Sequence, residues 1–163
     1  MAMSFGLTAF TLFHVLLSLV AIVSGLAVLA HWLRANTMSR WTGFFLWTTI
    51  ATTLTGFLFP FKGFTPAIGV GLISTIILAV ALVALYRFHL SGGWRTIFIA
   101  TSVAALYFNC FVLVVQSFLK VPFLHALAPN GSEPPFAIVQ AIVLIGALAA
   151  GYLAVRRFRP AIA

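Results

Sequence analysis

Five long stretches of this chain carry almost no charge, and each is long enough to cross a lipid bilayer. A spanning helix needs about 20 mostly apolar residues. The runs at about 7–33, 41–59, 67–88, 96–119 and 136–155 meet that requirement. None alternates strictly, as the strands of a membrane barrel do. A helix satisfies every backbone N–H and C=O within its own segment, as lipid demands. Composition points the same way. The chain is 63% hydrophobic and 6% charged, whereas a soluble domain is about 25% charged, and a small soluble fold cannot hide so much apolar surface. The expected fold class is all-α: a polytopic membrane protein forming a five-helix transmembrane bundle. No polar linker divides the chain, so residues 1–163 make one transmembrane domain.

The net charge of +8 suggests nucleic acid at first sight, but the basic residues sit at the ends of apolar runs and form no folded patch. They report topology. With five spans, Arg34, Arg40, Arg87, Arg95, Arg156, Arg157 and Arg159 share one side, and Lys62 and Lys120 share the other. Lysine and arginine accumulate on the cytoplasmic side. The N-terminus is therefore expected outside and the C-terminus in the cytoplasm, in a multi-pass protein of a bacterial cytoplasmic (inner) membrane, with no nucleic-acid partner. Trp32, Trp41 and Trp94 fall near the cytoplasmic interface, where aromatic belts form. The first residues, M-A-M-S-F-G-L-T, lack the positive start of a signal peptide, and the run after them exceeds the usual apolar core of about 7–15 residues. A retained helix is expected there. The single thiol, Cys110, lies in an apolar run and reads as a small hydrophobe.

The longest interruption is Gln116–Phe136, and it holds Glu133, the only acidic residue in the chain. Residues 120–135 are expected to cap the outer mouth of the bundle. Pro134 and Pro135 suit the first turn of the fifth helix, and Ser132 or Glu133 complements its dipole. Glu133 has a second expected role, as partner of Lys62 or Lys120 at the rim.

Polar residues in a span usually face the bundle interior. At 100° per residue, Ser102, Ala105, Asn109, Gln116 and Lys120 form one stripe of the fourth helix that climbs to this cap. Either the stripe is interhelical glue, at about 0.6 kcal/mol per hydrogen bond, or it walls a polar cavity. On the first helix, His14, Ser18, Ala21, Gly25 and Trp32 share a face. His14 is either a neutral imidazole bonded to a neighbour or a ligand and proton-handling group. Thr48, Thr49, Thr52, Thr53 and Thr55 of the second helix are expected to bond back to carbonyls one turn earlier. On the fifth helix, Gln140 lies in line with Ala147 and Gly151, a small-xxx-small pair through which a second copy or a membrane partner would pack. His31 and His89, both at the arginine end, could ligate a haem or metal but read better as interfacial residues. The candidate ligand-binding set is His14, Asn109, Gln116, Lys120 and Gln140 as walls, with Lys62, Glu133 and His125 at the rim.

Several short elements resemble small bacterial membrane proteins of the cytochrome b561-like kind. They are His14 in a helix rich in small residues, R-W-T-G at Arg40–Gly43, L-T-G-F at Leu54–Phe57 and the basic turn after the third span. The resemblance implies a haem with His14 as one ligand. Such families often place a second histidine just before R-W-x-G, where this chain has Ser39. His125 would replace it only if the cap dipped into the bundle.

Enzyme chemistry finds little support. One carboxylate makes no acid pair, and there is no phosphate-binding glycine loop and no Cys/His cluster with zinc spacing. The expected function is therefore non-enzymatic: an inner-membrane protein whose outward-facing polar pocket takes a small molecule or lipid, or an accessory subunit. A b-type haem or quinone redox protein and a small proton- or ion-coupled transporter are the alternatives.

Overall fold

The computed structural model describes residues 2–34, 38, 40–59 and 66–158, and only the backbone of residues 2–7, 66 and 67. Every regular element in the described residues is helical. In chain order they are α1 (Ala2–Arg34), α2 (Trp41–Phe57), α3 (Pro66–Leu82), α4 (Trp94–Lys120), α5 (Pro122–Leu127) and α6 (Pro134–Arg157). A π-helical turn, Val83–Arg87, prolongs α3. All five expected runs are helices. Among the described residues, four segments are long and apolar enough to cross a membrane: Thr8–Arg34, Ile68–Arg87, Trp94–Lys120 and Pro134–Arg157. α2 is shorter, at 17 residues.

α4 is the hub, touching α1, α2, α3, α5 and α6. α1 also packs on α2 and α6, and α2 on α3. The bundle is thus two layers, a row α6–α4–α3 with α1 and α2 lying in its two grooves. The core joins Trp32, Phe45, Phe98, Ile99, Leu106 and Phe158, all buried.

Among the described glycines, Gly25 has the least room for a side chain. A Cβ there would stand 2.7 Å from the Phe45 ring and 2.8 Å from Leu106. Only glycine lets α1, α2 and α4 converge at that point. The expected α1 face is the buried one, with Ala21, Gly25 and Trp32 all enclosed.

α2 turns the soluble pattern inside out. Thr42, Thr48, Thr49 and Thr52 are buried, while Trp47 is 68% and Leu54 58% exposed. Such an arrangement is unfavourable in water and natural in lipid, where polar groups gain by facing inward.

The arginine end is closed by side chains that reach helix ends. Arg95 donates to the Val155 and Phe158 carbonyls at 2.9 and 2.6 Å. Arg157 reaches the Leu33 carbonyl at 3.5 Å. Phe158 stacks on Trp32 with ring centroids 5.2 Å apart. These contacts place the C-terminal ends of α1 and α6 beside the start of α4. In the turn before α4, His89, Leu90 and Gly92 all have positive φ, at 49°, 59° and 53°.

At the opposite end, Val121 is extended and breaks α4 from α5. The short α5 was not foreseen within the cap. Its Phe123 and Leu127 are exposed, as suits a helix lying at a lipid interface. α6 starts at Pro134 with Glu133 as its N-cap residue and prolines in its first turn, as expected.

Candidate functional site

The polar groups at the α5 end are organised by one hydrogen bond between α1 and α2. His14 Nδ1 lies 2.8 Å from Thr55 Oγ1. The Thr55 hydroxyl has a single proton, and the Ala51 and Thr52 carbonyls stand 2.8 and 3.1 Å from it. A threonine in a helix gives its proton to such a carbonyl, so Thr55 accepts from an Nδ1–H. In the neutral ring this leaves the lone pair on Nε2. The edge of the ring meets Phe59, centroids 5.2 Å apart, and Gly56 lies beside Cε1. His14 is half-buried.

α4 supplies the third wall. Phe45 and Leu106 meet at Gly25, and counting ten residues onward along both helices arrives at Thr55 and Gln116. Gln116 therefore falls at the depth of the His14–Thr55 bond, on the stripe that also carries Ser102 and Asn109. It is half-buried. Lys120, one turn further on, is exposed.

The other candidates do not join this group. Gln140 donates from Nε2 to the Phe111 carbonyl at 3.2 Å. Phe111 is two residues from Asn109, roughly the opposite side of α4 at 100° per residue, so Gln140 belongs to the α4–α6 seam. Ala147 and Gly151 serve the same seam, Ala147 against the core and Gly151 against Val103 of α4. That small-residue pair is used within the chain. His125 is exposed on α5.

Among the described residues, Glu133 forms no ion pair with Lys120. Its carboxylate accepts from the Asn130 backbone N–H at 3.0 Å, Asn130 Nδ2 at 2.8 Å and the Ser132 N–H at 3.0 Å. These bonds, the Asn130 backbone N–H foremost, hold its pKa below the ordinary carboxylate value. Its role is to fold its own turn. Lys62, Ser39 and Arg159 lie outside the described residues.

No protein-family model, curated protein or solved structure matches the chain. No second histidine stands beside His14 to complete a haem pair with it. His14 has the orientation of a ligand, with its other nitrogen anchored, but His125 is exposed on α5 and His31 and His89 lie at the opposite end. Among the described residues no three His, Cys, Asp or Glu side chains come together to hold a metal ion.

Sequence reasoning singled out His14, Gln116 and Lys120 but treated Thr55 as structural. The available signal was Thr48–Thr55, a seven-residue repeat matching the period of the α4 stripe.

Proposed function

We propose that this protein is a five-span bundle of a bacterial inner membrane, N-terminus outside. Its outer end binds a small anionic molecule or lipid head group between α1, α2 and α4. The observation that carries this is His14 clamped to Thr55, with Gln116 at its depth and Lys120 one turn above. The group offers an amide, an imidazole lone pair and one ammonium, with no carboxylate among them, because Glu133 is engaged in its own turn. The ammonium and the amide N–H favour an anion, and the imidazole lone pair accepts from a hydroxyl of the same molecule.

Two contacts support α2 as a fifth span. Ser24 and Thr48 oxygens are 3.5 Å apart, and Phe10 and Phe59 rings are 5.0 Å apart. α2 and the residues after it thus climb beside α1 from its middle to its first turns, through the depth that α1 itself crosses. The distribution of arginine supports the orientation.

The reading is tested by native mass spectrometry of the protein released from nanodiscs with phosphatidylglycerol or phosphatidylcholine. Wild type is expected to retain the anionic lipid, and Lys120→Gln to lose at least most of it. Equal retention of both lipids, or by both proteins, counts against an anion site.

A further inference from the structure

The α2 threonines bond back to carbonyls, with two exceptions. Thr48, Thr52, Thr53 and Thr55 donate to Phe44, Thr48, Thr49 and Ala51. The Thr42 and Thr49 hydroxyls are fully enclosed and have no protein partner. The same is true of the Ser102 hydroxyl and of Asn109 Nδ2 on α4. Thr42, Thr49 and Ser102 are 2%, 1% and 1% exposed. A buried hydroxyl or amide without a partner costs about 1–3 kcal/mol, so four on two neighbouring helices call for an explanation.

The four groups face one another. On α2, Thr48 and Thr55 mark the direction of α1 through Ser24 and His14, and Phe57 marks α3 through Gly71. Thr42 and Thr49 project between these directions, on the side where α4 packs. On α4, Leu106 marks α1 and Val103 marks α6. Ser102 and Asn109 lie beyond Leu106, away from Val103, on the side turned to α2.

Their depths also match. From the common level of Phe45 and Leu106, Thr42 lies three residues and Ser102 four residues towards the arginine end. Thr49 lies four residues and Asn109 three towards the α5 end. Each pair agrees within one residue, or about 1.5 Å of rise. The two tiers are separated by buried Phe45, Leu46, Ala105 and Leu106.

We propose that the α2–α4 seam is a built site for ordered water in two separate tiers. Thr49 and Asn109 hold one, Thr42 and Ser102 the other, and the layer of Phe45, Leu46 and Leu106 keeps them apart. Water matches the chemistry. It is neutral, as are all four groups, and it donates and accepts in the 2–4 hydrogen bonds that a buried water makes. The seam is independent of the anion site, since it uses neither His14 nor Lys120.

The test is a set of double-mutant cycles read by thermal unfolding in one nanodisc lipid. Thr49→Val and Asn109→Leu are each expected to lower Tm by about 2–4 °C, because each leaves the water and the facing group short of a bond. The double variant recovers most of the loss by drying the tier. Thr42→Val with Ser102→Ala behaves likewise, while Thr49→Val with Ser102→Ala, taken across the layer, is additive. Single variants that leave Tm unchanged or raise it overturn the proposal, as does equal coupling within and across tiers. Wild-type hydroxyl-radical footprinting after rapid mixing into oxygen-18 water supplies a readout free of folding defects. Slowly exchanging bound water is expected to label the flanking Phe45, Leu46 or Leu106 with oxygen-16, and no label there overturns the proposal too.

Discussion

Single residues set the tolerances of this bundle, and Gly25 sets the tightest. A methyl group there meets an aromatic ring and a leucine, each locked by the other helices. Gly25→Ala is expected to destabilise by about 1–3 kcal/mol, the usual cost of overpacking. Gly146, in α6, has open space around its would-be Cβ. Gly146→Ala is expected to be neutral or to stabilise by up to about 1 kcal/mol, by removing backbone freedom. Unfolding of the two variants side by side in one lipid checks the contrast, which packing alone produces. His89 presents the opposite case. It is exposed and held at φ 49°, where a side chain costs about 1–2 kcal/mol. His89→Gly is expected to recover roughly 1 kcal/mol in the same measurement.

Glu133 sets the pH response of its turn. Its folded pKa lies below the ordinary value, so the stability it contributes is fully present above the unfolded carboxylate pKa. That contribution is lost as pH falls through the lower, folded one. Amide exchange at Asn130 and Ser132 is expected to speed up, relative to the intrinsic rate, only in that acidic window. Glu133→Gln should show fast exchange at neutral pH. Unchanged protection in Glu133→Gln would mean that the turn is held by its backbone alone.

At the scale of elements, the apolar runs were legible because lipid leaves a helix no alternative. The runs drawn at 96–119 and 136–155 differ from α4 and α6 by two residues or fewer at each end. α5 was not legible. Its six residues are too few for a periodicity, and only Pro122 after an extended Val121 marks its start. The site was legible in part, for a related reason. Angular position on one helix follows from the sequence, so His14, Gln116 and Lys120 could be chosen. Which helix faces that stripe does not follow, so Gln140 was grouped with Asn109 although it meets the opposite side of α4, and Ala147 and Gly151 were read as a surface. Arg95 shows a similar limit. It looked like a topology marker, yet it also caps α6 by donating to Val155 and Phe158, where a cation meets the negative end of the helix dipole. Arg95→Ala is expected to cost about 1–2 kcal/mol and to raise amide exchange in the last turn of α6, with Arg95→Lys intermediate. Loss confined to α4 would contradict the cap.

For the whole molecule, the number of crossings decides which groups share a compartment. α2 is about 25 Å long at 1.5 Å per residue, somewhat less than the roughly 30 Å of a bilayer core. Length alone leaves four or five crossings. Packing favours five, because α2 and Phe59 run beside α1 from Ser24 to Phe10, and a helix lying along a spanning helix shares its depth. The inward threonines agree, since an α2 resting on the membrane surface would have no reason to bury four hydroxyl-bearing side chains while exposing Trp47 and Leu54. Five crossings with the arginines inside put Asn130 outside and Ser91 in the cytoplasm. Cysteines introduced at these exposed positions in a Cys110→Ser background report the two sides directly. A membrane-impermeant maleimide is expected to label Asn130→Cys in intact cells and Ser91→Cys only after permeabilisation. Labelling in the reverse order would invert the bundle and place the His14–Lys120 end in the cytoplasm, with its anion drawn from the inner leaflet.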